Sequence, residues 1–271
     1  MRSKLKKQVG SIRRGLLGIW QNAELVPTIP FELITLTKSA QDRKVELSQV
    51  GNGQRKILIV GGTHGNEVGT VKLIHHLLAW LGNNPLQGLT LYAIPCLNPD
   101  GYALAQKHPD YFNGGRIGRF NGRNVDLNRN YPTKSFQSRS DWNHGKDYQE
   151  RTSVFCGETG GSEPEIKALT NLILIEKIEL VIAFHSAGRD VMANKQPLAR
   201  MIAKLFSEKT GYRLSSDKEW EELKQTGTAR EWCEENGVSY VEIEAATRWG
   251  SDWDNQKSGL SAVVAEFTAS R

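Results

Sequence analysis

Short apolar runs alternate along this chain with stretches whose apolar residues recur at helical spacing, and that alternation narrows the fold more than any other feature. Lys56-Ile57-Leu58-Ile59-Val60 is the first clear run, stopped by Gly61-Gly62. Its lack of polar alternation predicts a strand buried on both faces. Val71, Ile74, Leu77, Leu78 and Leu81 then follow at helical spacing. Thr90 to Pro95 reads as a second strand. Ile166, Leu169, Leu172 and Ile173 predict a helix over 163–177, with Pro164 in its first turn. Leu180 to Phe184 reads as a further buried strand, and Pro197 to Lys209 as a helix closed by Gly211. Thr228-Ala229-Arg230-Glu231 has the form of a capping box, opening a helix that ends at Gly237. From Ser239 to Glu244 the pattern alternates, with Tyr240, Glu242 and Glu244 on one face and Val241 and Ile243 on the other. Strands separated by helices predict a single α/β domain with a mixed, mostly parallel central sheet covered by helices on both faces. Residues 25–50 read only as entry strands, and the tail from Ala245 has no clear period.

At 271 residues, with 38% apolar and 24% charged, the chain has the make-up of a globular protein with a substantial core. No apolar run approaches the roughly 20 residues that span a bilayer. The opening stretch has too short an apolar part for a secretory leader, so a cytoplasmic location is expected. Three widely spaced cysteines, Cys96, Cys156 and Cys233, form no CxxC pair and suggest neither a disulfide framework nor a thiolate metal site. The formal charge of +5 is concentrated at one end. Arg2, Lys4, Lys6, Lys7, Arg13 and Arg14 precede any acidic residue, and the remainder is close to balance. That distribution predicts a basic extension over 1–24 ahead of a catalytic domain over 25–271, and argues against a nucleic-acid partner.

The segment from Asn98 to Glu163 shows little periodicity and many Gly, Asn, Asp and Arg residues, as functional loops do. Just before it, Gly61-Gly62-Thr63-His64-Gly65-Asn66-Glu67 lies where a buried strand gives way to a helix, the place where open α/β sheets put their sites. A histidine and a glutamate three residues apart on that turn can share a cation, and imidazole with carboxylate suits Zn²⁺. A phosphate cradle, the other use of glycines at such a turn, wants Lys-Ser/Thr where this chain has Asn66-Glu67-Val68. Among the other histidines, His75 and His76 fall mid-helix, and His108 and His144 in polar loops. His185 directly follows the strand ending at Phe184 and is the best third ligand. The run Arg116 to Pro132 (RIGRFNGRNVDLNRNYP) offers four arginines that read equally as an anion-binding surface or as a charged loop paired with local aspartates. Glu242 and Glu244 share one strand face about 7 Å apart. Glu244, nearer the strand's end, is the better candidate for a general base beside a metal, with Glu242 as either a supporting or a merely exposed residue.

With these residues in view, the chain resembles the zinc carboxypeptidase superfamily, which includes the murein peptide amidases and the aspartoacylase/succinylglutamate desuccinylase branch. The resemblance runs from about Ile57 to Glu244. It rests on His64-x-x-Glu67, Asn98-Pro99-Asp100-Gly101, Val125-Asp126-Leu127-Asn128-Arg129-Asn130, Ser162-Glu163-Pro164-Glu165 and His185. It implies one Zn²⁺ per chain on His64, Glu67 and His185, with Glu244 as general base. It further implies Arg119 at the scissile carbonyl, and Asn128 and Arg129 on the substrate's terminal carboxylate. GGTHGNE is closer to the aspartoacylase branch, whereas Asn-Pro-Asp-Gly and the Arg119 spacing are closer to the peptidase and amidase branch. Glu242 stands where family members often carry Thr, and no tyrosine occupies the region near Glu222 where digestive carboxypeptidases have a mobile one. The expected activity is hydrolysis of a peptide or amide bond next to a free carboxylate, on a small peptide or an N-acyl amino acid. N-acyl-amino-acid deacylation and non-catalytic carboxylate binding are the alternatives.

Overall fold

The computed structural model describes residues 24–108, 116–144 and 150–269, so the basic run that predicts an N-terminal extension lies outside the described residues. Two strands lead in, β1 (Ile34–Lys38) and β2 (Lys44–Val50), followed by β3 (Arg55–Val60), helix α1 (Val68–Leu81) and β4 (Leu89–Ile94). Helix α2 (Pro99–Gln106), a 3-10 turn (Leu127–Arg129) and a hairpin of β5 (Arg139–His144) and β6 (Glu150–Phe155) come next. Beyond them lie α3 (Pro164–Glu176), β7 (Leu180–Ser186), β8 (Asp190–Ala193), α4 (Pro197–Thr210), β9 (Arg213–Leu214), α5 (Asp217–Glu222), α6 (Ala229–Glu235), β10 (Ser239–Ala245) and α7 (Trp253–Ala269).

Eight strands form one mixed sheet in the order β1-β2-β4-β3-β7-β10-β8-β9. The four central strands, β4, β3, β7 and β10, are parallel, while β2 and β8 run antiparallel to their inner neighbours. Strand parity sorts the core into two layers. Ile57, Ile59, Ile182, Phe184, Val241 and Ile243 face one way and pack with side chains of α1, α4 and α7. Leu58, Val60, Val181, Ala183 and Tyr240 face the other way, toward Ile166, Leu169 and Ile173 of α3 and Trp232 of α6. Because β3 and β7 are covered on both faces, their sequences are dominated by apolar residues, whereas β10 sets Glu242 and Glu244 among its apolar ones.

The expected α/β class and the central elements are as observed. The long segment after Asn98 is richer than its sequence pattern, holding α2, the 3-10 turn and the hairpin. β8 and α7 also fall where no element was expected. Chain order explains where a site can form. From β3 the chain crosses through α1 to β4 on one side, while β7 lies on the other side of β3. The connections diverge at the carboxyl ends of β3 and β7, and a crevice opens there.

Candidate metal centre and its cavity

Each metal-ligand candidate sits at the carboxyl end of a central strand or just past it. After β3 the chain turns sharply, with the Glu67 N–H donating to the His64 carbonyl at 3.0 Å. Gly65 at the tip is required by space, since a Cβ there would lie 2.1 Å from the backbone nitrogen of Tyr102. His185 is the penultimate residue of β7, and its Cα partner on β10 is Glu244.

The three side chains converge. His64 Nδ1 lies 3.0 Å from Glu67 Oε1, His185 Nδ1 lies 3.1 Å from Glu67 Oε2, and the two Nδ1 atoms are 3.2 Å apart. On its other edge, His64 Nε2–H donates to Asp126 Oδ1 at 3.1 Å, which leaves the Nδ1 lone pair turned toward Glu67. A ring lone pair, a second imidazole nitrogen and a carboxylate facing one point repel one another unless a proton or a cation lies between them. The edge of a tetrahedron with zinc-to-nitrogen bonds of about 2.0–2.1 Å is about 3.3 Å, close to these separations. The donor set therefore fits Zn²⁺, and these three residues are the group among the described residues whose ligand atoms lie close enough together to hold a metal ion. All are buried: His64 is 4%, Glu67 2% and His185 2% exposed.

Burial and charge oppose each other here. Burial alone would raise Glu67, but His64 and His185 hold its carboxyl well below the usual range. His185 is likewise disfavoured as a cation by burial, yet the carboxylates of Glu242 and Glu67 lift it to about 9. Burial, then the charge of Glu67, pushes Glu244 up to about 8. This is a cluster with an excess of negative charge, and a divalent ion would relieve it and draw Glu244 back down.

Around this centre lies a cavity of about 1470 Å³, bordered by Arg119, Asn128, Arg129, Glu242, Glu244 and Arg248 among others. Arg119 is fixed by a two-pronged contact with Asp126 Oδ2, through Nε at 3.1 Å and Nη2 at 2.8 Å, and its guanidinium stacks over Trp142 at 4.5 Å. Arg129 is anchored by Nη1 to the Asn128 carbonyl at 2.7 Å and by Nε to the Asp141 carbonyl at 3.2 Å. Asn128 Oδ1 accepts the N–H of Ala229 at the start of α6 at 3.1 Å, which leaves its amide donors for the cavity. Every site residue expected from the sequence thus borders one cavity. The other histidines do not join the centre. His76 pairs with Glu24 at 3.2 Å and stacks on Trp253, while His144 lies on the cavity rim against Thr152.

Two participants went unassigned in the sequence. Asp126 is completely buried and braces both His64 and Arg119, while also accepting the N–H of Asn128 at 3.1 Å. Its signal was present, inside the Val125–Asn130 motif. Arg248 places Nη1 3.4 Å from Glu67 Oε1, and it comes from the tail, whose sequence gave no hint.

A model of the zinc carboxypeptidase family matches residues 23–261, and the chain belongs to that family. Human carboxypeptidase Z is 32% identical over 111 residues, 37% of this chain and 16% of that protein. Murein peptide amidase A of Vibrio campbellii is 27% identical over 194 residues, 69% of this chain and 68% of that protein. The chain spans less than a fifth of the length of the carboxypeptidases D and Z first matched. Among solved structures, the murein-tripeptide amidase of Escherichia coli O157 superposes with a TM-score of 0.68 at 21% identity, covering 89% of this chain and 93% of that one. The same fold is seen in the carboxypeptidase A of Helicoverpa armigera, with a TM-score of 0.67 at 16% identity.

Proposed function

We propose that the protein is a zinc-dependent hydrolase that cleaves a peptide or amide bond beside a free carboxylate. One observation carries this reading: the His64–Glu67–His185 centre opens on a cavity that also holds a carboxylate and two anchored guanidinium groups. Zinc held by these three residues supplies Lewis acidity, polarising a carbonyl and making water acidic near neutral pH.

In this reading Glu244 takes the proton of the attacking water and returns it to the leaving nitrogen. Arg119, held rigid by Asp126, steadies the carbonyl oxygen as it gains charge. Arg129 and the Asn128 amide bind the substrate carboxylate and so set which bond lies over the metal. Deacylation of N-acyl amino acids and non-catalytic carboxylate binding are less favoured, given the family match and a set of groups sufficient for hydrolysis. Residues 25–271 form the catalytic domain in this proposal, with 1–24 as a basic extension. A cytoplasmic location is supported by three cysteines that remain free thiols. Among the described residues no helix is long and apolar enough to cross a membrane.

The decisive experiment is Glu244→Gln. It should retain zinc and lose turnover by about 10²–10⁴-fold on dipeptides or γ-glutamyl peptides, the range for removing a positioned general base. Full activity would remove Glu244 from the mechanism. Preferential hydrolysis of acetyl-aspartate or succinyl-glutamate by the unaltered enzyme would move the activity to the deacylase class.

A further inference from the structure

The basic stretch that opens the chain takes no part in the chemistry above, yet its apolar residues are ordered. Six lysines and arginines and no acidic residue precede Glu24. Among them Leu5, Val9, Ile12, Leu16, Ile19 and Trp20 recur at helical spacing. At ~3.6 residues per turn these span an arc of about 100°, with Lys7, Arg14 and Gly18 opposite and Lys6 and Arg13 along one border. Leu17 is the large apolar residue that falls outside the stripe. Just past this pattern the chain is fastened to the fold. Glu24 Oε2 accepts the Ser251 N–H at 3.0 Å, and Oε1 meets His76 Nε2 at 3.2 Å. Ile29 and Phe31 then pack against the core layer beneath α1, α4 and α7. Between these anchors Leu25 and Val26 are held out to solvent, 88% and 44% exposed, and Leu25 is the most exposed large apolar side chain among the described residues. Two adjacent large apolar side chains fixed in water are unfavourable unless something covers them.

We propose that residues 1–26 dock the protein on the surface of an anionic lipid bilayer. The apolar stripe, together with Leu25 and Val26, enters the boundary between headgroups and acyl chains, and the lysines and arginines meet acidic headgroups. Trp20, at the end of the stripe, suits the headgroup level. Gly10, Gly15 and Gly18 lie off the stripe and lower intrinsic helicity, so ordering has to come from burying the apolar side. Charge points to a partner outside the chain. The remainder of the sequence is close to balance, so no acidic excess within the protein matches the six cations. Shape points to a surface. A groove sized for one helix would leave Leu25 and Val26 in water, because they are carried by the folded body, whereas a planar interface receives them as well. Docking of this kind is independent of the hydrolysis proposed above.

The test floats the full-length, zinc-loaded protein with vesicles of phosphatidylcholine alone or of phosphatidylcholine and phosphatidylglycerol in equal parts, which requires no change to the protein. The mixed vesicles should bind at least about tenfold tighter, because each lysine or arginine near an anionic surface adds attraction. Raising the salt should shrink that difference as screening shortens the reach of the charges. Exchanging neighbours then separates pattern from composition. Ser11→Ile, Ile12→Ser, Gly15→Leu and Leu16→Gly together keep every residue type and the net charge, but carry two apolar side chains out of the stripe. This variant should bind the mixed vesicles about tenfold more weakly. Leu25→Ser with Val26→Ser should weaken binding as well, by about threefold or more. Equal affinity for the two vesicle types, or no binding to either, would overturn the proposal. So would an exchanged variant that binds as the unaltered protein does, since the stretch would then be a polycation blind to its own order. Tighter binding to soluble poly-glutamate than to the mixed vesicles would overturn it in favour of an acidic protein partner.

Discussion

Asp126 shows how one buried carboxylate can serve two ends of a site. Its Oδ1 takes the Nε2–H of His64 and its Oδ2 takes both prongs of Arg119. Burial would raise its pKa, but Arg119 and then His64 hold it well below the usual range, so it stays charged. Asp126→Asn keeps the shape but weakens the acceptor on both sides. Zinc affinity should fall about 10–100-fold, as when an outer partner of a ligating histidine is lost. The loss should appear in chelator competition, together with a lower kcat from the freed Arg119. Retention of both would show that the ligand geometry needs no brace. Glu165 makes a different case, remote from the metal. It is fully buried in the first turn of α3, with Oε2 lacking a hydrogen-bond partner among the described residues and Oε1 accepting the Ala40 N–H at a long 3.4 Å. Burial lifts its pKa to about 7 from an ordinary 4.5. Between those values the folded chain binds more protons than the unfolded one, so stability from this group is full below about pH 4.5, falls as pH rises to 7, and is level above. Glu165→Gln should therefore be more stable than the unaltered protein at pH 8 by about 3 kcal/mol, with the gap closing near pH 4.5. Denaturant melts of both proteins across that range test the sign directly.

At the scale of elements, the site depends on helix ends as much as on strands. The start of α6 carries a reciprocal cap. Thr228 Oγ1 accepts the Glu231 N–H at 3.2 Å, and Glu231 Oε2 accepts the Thr228 N–H at 3.2 Å. The next N–H, of Ala229, is the one that fixes Asn128 in the cavity. Thr228→Ala should cost about 1 kcal/mol of stability and raise KM more than it lowers kcat, because the carboxylate seat loosens while the metal ligands stay. An unchanged KM alongside the lower stability would separate the cap from the seat. The cap was legible because its four residues are local, as were β3 and β7, whose runs are apolar through burial on both faces, and β10, whose residues alternate. Other elements were hidden for identifiable reasons. α2 mixes Asp100 and Gly101 into a two-turn helix, although Asn98-Pro99 at its start is a cap signal, and Asn98 Oδ1 does accept the Gly101 N–H at 2.8 Å. β8 is only four residues long. α7 contains Gly259, where a Cβ would lie 2.6 Å from the Phe206 ring, so close packing against α4 removes an apolar side chain from the pattern. The ligands could be read because each ends a legible strand or follows one. Arg248 could not, because only the packing of the tail brings it to Glu67.

For the molecule as a whole, the centre joins parts of the chain that are far apart in sequence but rest on one sheet. His64 and Glu67 follow β3, while His185 and Glu244 end β7 and β10, and the two core layers bind these strands together without help from a metal. Removing zinc should therefore leave the fold in place but return Glu67, Glu244 and the two imidazoles to mutual strain. Any ion that binds the native centre and not the unfolded chain stabilises by mass action, about 4 kcal/mol at a thousandfold excess over Kd. In a domain of this size each kcal/mol moves Tm by about 2–4 °C, so zinc should raise Tm by roughly 8–16 °C over the chelated protein. Glu244→Gln should narrow that gap, since the amide cannot become the carboxylate that Glu244, held up to about 8 without metal, would become beside a bound cation, and that attraction is lost from the zinc state. Calorimetric scans of both proteins, with zinc and with chelator, measure the four midpoints. Circular dichroism of the chelated protein should still report the α/β sheet. A Tm insensitive to zinc would mean that the three ligands do not hold an ion tightly, whereas loss of the sheet on chelation would mean that the metal, not the core, joins β3 to β7.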